Sequence, residues 1–401
     1  MRMYICGDES QDGSDATNAS EDIALSGLQP MDYRVSAEGR ASFKRCRRQW
    51  DLGAITRQRL QPLDPEPFDL TRAVRDALAV YYYPGMWEWQ SATVLPLVRK
   101  AFMRSIAAAP PSEHRMADLD LGTELLERYF AWAPSVDDFA PLKIETDVEA
   151  LVPDIRTSDQ ALSTRSGERV LYADRVEMVA ADANDEYWVV THSVVPEWSG
   201  GESLLLDEAV VAACWAWEQT FLGMQVAGTI HDELLRTPPD APEKSPTQTR
   251  TGRPGRGGLS QNEPSGGGRL LPQSERADRV EGRPASGQPI HQEVAGPLRR
   301  TRIRRRRAEI ESAARQIGAE VLDMLDPGLS VYPTSSPSHC PSCVFLAPCV
   351  AMNEGEDPAL ELATRFRQGP LAPEYEPRLG AGGAGGRNVA LPGRPPTPGS
   401  P

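Results

Sequence analysis

Long apolar runs are missing from this 401-residue chain. The longest, AVVAACWAW over 209–217, is about half of what a membrane-spanning helix needs, and Asp207, Glu208 and Glu218 flank it. The first thirty residues lack the apolar centre of a secretory leader. These absences give the expectation of a soluble, cytoplasmic protein without a membrane partner. Excess positive charge is also missing: the formal net charge is −14, which argues against non-specific coating of nucleic acid but leaves room for a local basic groove. Cysteine is sparse, at six residues. In a reducing compartment, clustered cysteines point to metal ligation or free thiols rather than disulfides.

Apolar residues make up 40% of the chain, enough for a sizeable core. The 33 glycines and 36 prolines gather in particular stretches, where too little apolar surface is available to offset the entropy of ordering. Three stretches are expected to be disordered on this ground: an acidic tail over 1–32, a Pro/Gly/Arg-rich insertion over 237–298 and a tail over 369–401. That leaves one domain in two pieces, 33–236 and 299–368.

Periodicity assigns most of these two pieces. A helix is expected from Ser36 through SFKRCRRQWDLG, with Phe43, Cys46 and Trp50 on one face. Leu70, Val74, Ala77 and Leu78 mark another, stopped by Pro84. Two further helices cover TVLPLVRKAFMRSI, with Ser91 as N-cap, and ADLDLGTELLERYFAW. Strands are read at LKIETDVEALV, RVLYADRVEMVA and EYWVVTHSVV, the last two joined by a turn at ADAND. A buried helix over LLLDEAVVAACWAWEQTFLG and a strand at MQVAGTIHDELL follow. The closing helix carries the stripe Ile310, Ala313, Ala314, Ile317, Val321 and Leu325.

The end of the second piece reads HCPSCVFLAPC. Cys340, Cys343 and Cys349 stand at x2 and x5 spacing, close enough for their sulfurs to share a metal centre. Structural zinc and iron–sulfur clusters both favour four ligands. Spacing leaves the fourth open among Cys46, Cys214, Cys6 and His339.

SFKRCRRQWDLG resembles the opening helix of RecB-type nucleases of the PD-(D/E)XK superfamily, and CPSCVFLAPCVAMNEGED is similar to the closing loop of their iron–sulfur subgroup, which includes the AddB nuclease domain and CRISPR-adaptation exonucleases. The resemblance spans most of 36–360 apart from the insertion. It implies an α/β fold: a nuclease-like mixed β-sheet flanked by helices, with an N-terminal helical region and a C-terminal iron–sulfur loop. It also implies that Cys46, Cys340, Cys343 and Cys349 hold a [4Fe–4S] cluster pinning the two ends together. Zinc is the alternative cofactor.

The same resemblance places a metal-dependent site on the hairpin, where two carboxylates hold Mg2+ and a lysine positions the attacking water. In LYADRVE, Asp174 matches the first carboxylate and Glu177 a later residue or an alternative register. In WVVTHSVV, Thr191 and Ser193 stand where a carboxylate and a lysine are expected, and Arg75 stands where a histidine is expected. Threonine is a weak ligand for a hard cation, and serine carries no ammonium charge. His192 alternates away from both and reads as a surface or packing residue. The expectation is a degenerate nuclease that binds nucleic acid or acts as a scaffold. The rival is a Mg2+-dependent DNA exonuclease drawing a carboxylate from elsewhere, such as Glu208; another is a zinc-stapled interaction module.

Candidate DNA contacts are Lys44, Arg45, Arg47 and Arg48 on the first helix, and Arg302 and Arg305 in the run RRTRIRRRR, read as leading into the closing helix.

Overall fold

The computed structural model describes residues 32–64, 68–86, 89–109, 115–157, 160–236, 280–282 and 290–369. The expected tails over 1–32 and 369–401 lie outside these residues, save Asp32 and Gly369, as does most of the expected insertion.

Runs rich in Val, Ile, Tyr and Trp form the sheet, as β propensity directs. Its strands are β1 (Tyr33–Val35), β3 (Phe139–Leu151), β4 (Val170–Asp182), β5 (Tyr187–Val195), β6 (Val226–Leu235), β7 (Val280–Gly282), β8 (Ile290–Ala295) and β9 (Leu298–Arg304); β2 (Leu60–Pro62) lies apart. The sheet is mixed. β4 carries β3 along one edge, and from its other edge the order runs β5-β6-β9-β8-β7, with β1 beside β4's first residues. β1/β4 and β5/β6 are parallel, and the remaining pairs are antiparallel. The β4–β5 turn falls at the expected ADAND, with Asp185 at φ 60°.

Among the described residues ten α-helices accompany the strands: α1 (Ala37–Arg45), α2 (Arg47–Gly53), α3 (Leu70–Tyr81), α4 (Ser91–Ala108), α5 (Arg115–Val136), α6 (Gly201–Leu205), α7 (Glu208–Thr220), α8 (Arg307–Met324), α9 (Leu346–Glu354) and α10 (Ala359–Arg365). The chain is therefore α/β, as the sequence led us to expect. Strand alternation sends neighbours to opposite faces. Val189 joins a core with Trp217 of α7 and Ile317 and Val321 of α8. Val190 joins a second core with Leu78 of α3, Phe102 of α4 and Leu125 of α5.

Three expectations change. The first helix is two, because Cys46 is extended at φ −160° and ψ 112° and serves as C-cap of α1 and N-cap of α2. Ser91 is the first residue of α4 and Gln90 its cap. Ordered chain returns before 299: 290–295 is the strand β8, paired to β9. Arg299–Arg304 of the basic run accordingly lie in β9, held between β6 and β8, and the run then leads into the closing helix through Arg306, its N-cap, and Arg307, its first residue.

Two small elements join the ends of the described chain. β10 (Phe366–Gln368) pairs antiparallel with β2. Beneath them Leu52, Phe345 and Phe366 form a separate apolar cluster, with the two phenylalanine rings stacked 4.9 Å apart. This placement brings the segment after α1 beside the cysteine loop.

Candidate functional site

The four cysteines singled out in the sequence line one cavity of about 350 Å3, with Arg48, His339 and Phe345 among its other walls. Cys46 is buried, while Cys340, Cys343 and Cys349 are half-buried, and all are free thiols. Each sulfur has an N–H donor. The Thr334 amide lies 3.4 Å from Cys46 Sγ, the Ser336 amide 3.3 Å from Cys340 Sγ, and Arg48 Nη1 3.3 Å from Cys349 Sγ. The Phe345 backbone hydrogen-bonds Cys343. Burial pushes the Cys343 thiol up, the Phe345 bond opposes it, and the nearby Cys46, Cys349 and Cys340 add to the upward push. Soft donors in this number, each with a hydrogen-bond partner, suit an iron–sulfur group. Among the described residues no three His, Cys, Asp or Glu side chains are placed to close round a single ion.

Of the rival fourth ligands, Cys214 is not among the residues that line this cavity, whereas His339 is. Cys214 is buried in α7, and burial drives its thiol up to about 12. His339 Nε2 donates to the Thr334 carbonyl oxygen, 3.0 Å away. Cys6 lies outside the described residues.

The hairpin site sits where β4 loses a partner. On the edge facing β5, β4 pairs with β1 over Val170–Tyr172 and with β5 over Met178–Ala181; among the described residues no strand pairs there with Ala173–Glu177. Asp174 and Glu177 both open onto a cleft of about 1100 Å3 bounded by Ser36, Trp50, Arg75 and Arg367.

Glu177 is fully engaged there. It accepts from the His192 amide at 3.1 Å and from His192 Nδ1, and Arg75 Nε lies 3.1 Å away. That Nε also donates to the His192 carbonyl oxygen at 2.7 Å. Burial pushes the Glu177 carboxyl up, but the Arg75 and His192 charges outweigh it and hold it below its ordinary value. Asp174 accepts from Tyr172 Oη at 2.7 Å and the Arg175 amide at 2.8 Å, and burial raises its carboxyl despite both bonds.

His192 is 1% exposed. Behind it, Tyr129 Oη lies 3.0 Å from His192 Nε2 and 2.7 Å from Asp232. His192, expected as a surface or packing residue, is a buried link in a polar chain from Arg75 to Asp232. The acidic letters inside the apolar strand IHDELL were the available signal. Thr191 turns to His231, 3.4 Å away. Glu208, the candidate extra carboxylate, pairs with Lys44 and lies 3.9 Å from Arg40.

The candidate DNA contacts are mostly spoken for. Lys44 pairs with Glu208 and Glu320. Arg47 stacks over Phe43 and Tyr332, at 5.5 and 5.2 Å. Arg48 serves the cysteine cavity, and Arg302 pairs with Asp138. Arg305 is buried against Glu309 and the Leu204 and Leu205 carbonyls, which removes it from any surface. Arg45 alone among the six is exposed without a described partner.

No family model and no curated protein matches the chain. Among solved structures it is similar to the crystal structure of SSO0001, with 10% identity and a TM-score of 0.29 over 83% of this chain and 93% of that one. A likeness of that size carries no argument.

Proposed function

We propose that this chain is a RecB-like PD-(D/E)XK fold that no longer cleaves, holds a [4Fe–4S] cluster on Cys46, Cys340, Cys343 and Cys349, and serves as a scaffold. The observation that carries the reading is the convergence of four distant thiols on one cavity, with an N–H donor for each sulfur. The cluster would supply a cross-link between the α1–α2 corner and the C-terminal loop. Zinc, which would take the same four thiolates each ~2.3 Å from one ion, is the alternative.

Loss of cleavage follows from Arg75 and the second strand. The guanidinium lies against Glu177 and the His192 carbonyl, where a divalent cation would otherwise find its oxygens. Thr191 and Ser193 offer neither a second carboxylate nor an ammonium. The internal pairing of the arginine run favours a scaffold over nucleic-acid binding.

Anaerobically purified full-length chain should be coloured and should leave labelled single- and double-stranded DNA intact in Mg2+ or Mn2+. Cleavage abolished by Asp174→Ala would overturn the non-cleaving reading. Tight DNA binding at ~0.15 M salt, with a steep salt slope, would replace the scaffold role by nucleic-acid binding.

A further inference from the structure

Three of the four N–H donors around the cysteines are backbone amides, fixed by the fold and neutral. The fourth is a charged side chain. Arg48 Nη1 lies 3.3 Å from Cys349 Sγ and is aimed by two further acceptors, the Cys349 carbonyl oxygen at 3.3 Å and Asn353 Oδ1 at 2.8 Å. Its own amide donates to the Tyr332 carbonyl oxygen at 3.2 Å. Nη1 thus shares its two N–H bonds among three acceptors, and this anchoring keeps the guanidinium charge beside the sulfur.

We infer that Arg48 is a positioning residue that raises the reduction potential of the cluster. The inference rests on the cluster reading above. One-electron reduction adds one negative charge to the cluster and its thiolates. A cation and hydrogen bonds at the sulfurs stabilise the reduced form more than the oxidised one, and such bonds are among the levers that set iron–sulfur potentials. The neighbouring Arg47 is a built-in control. It carries the same charge one residue away, but spends it on the Phe43 and Tyr332 rings.

The test is a mediated redox titration of anaerobically purified full-length chain, following visible bleaching and the reduced-cluster EPR signal. Arg48→Met should shift the midpoint potential downward, Arg48→Lys should shift it less, and Arg47→Met should leave it near the wild-type value. Should Arg48→Met lose its cluster, Arg48→Lys decides: a lowered midpoint supports the inference and an unchanged one overturns it. A purely structural Arg48 would lower cluster content and leave the midpoint of the remaining clusters in place, which also overturns it. Equal shifts in Arg48→Met and Arg47→Met would reduce the effect to bulk charge and remove the assigned role. Colourless wild-type protein would instead sink the cluster reading, and this inference with it.

Discussion

Charge inside the protein is answered residue by residue, and His231 is the most readable case. It is 4% exposed on β6, and burial, with Arg305 beside it, lowers its imidazole from 6.5 to about 4. Between those values the unfolded chain binds the proton and the folded chain does not, so stability falls as the pH drops from 6.5 towards 4. Denaturant midpoints across that window should show the slope, and His231→Gln should flatten it; an unchanged slope would contradict the assignment. Arg75 gives a second residue-scale prediction. Arg75→Met leaves half-buried Glu177 with His192 as its remaining partner and should destabilise the fold by about 1–3 kcal/mol. No gain or loss of DNA cleavage should accompany it.

The strand β9 shows what an element hides. Arg300 is 3% exposed and its guanidinium reaches Asp232 and Asp137, while Arg299 reaches Glu233. Read locally, RRTRIRRRR is a solvated basic run. The acidic partners of Arg299 and Arg300 lie on β6 and just after α5, 66 to 163 residues away in sequence, so no local pattern could reveal them. Removing one partner of such a buried pair leaves the other charge uncompensated, and Arg300→Met should cost about 3–5 kcal/mol. The periodic elements were legible because their signal is local: α3 and α8 follow the apolar stripes, and β4 and β5 the β-branched runs. The break at Cys46 was not, since Phe43, Cys46 and Trp50 suit one helical face as well as two short helices. Gly228 is a further element-scale test. A Cβ there would lie 2.3 Å from the Ile303 carbonyl oxygen and 2.5 Å from the Trp188 ring. Gly228→Ala must push β9 away from β6, and thermal melting should report a loss of about 1–3 kcal/mol.

Across the whole molecule, the corner between α1 and α2 and the last described strand are brought together twice. The β2–β10 ladder and the Phe345–Phe366 stack form one tie, and the cysteine cavity is the other. The convergence of Cys46 with the terminal trio was legible through the family resemblance, because spacing alone cannot choose a partner nearly three hundred residues away. Thr191 and Ser193, where the resemblance expects a carboxylate and a lysine, could be read in the sequence. The polar chain from Arg75 through Glu177 and His192 to Asp232 could not, since each link comes from a different element.

The most direct measurement is iron and acid-labile sulfide per chain in anaerobically purified wild type and Cys46→Ser. The account predicts about four of each in the wild type and a marked loss on replacing Cys46. Colourless wild-type protein carrying one zinc, or iron content indifferent to Cys46, would contradict it.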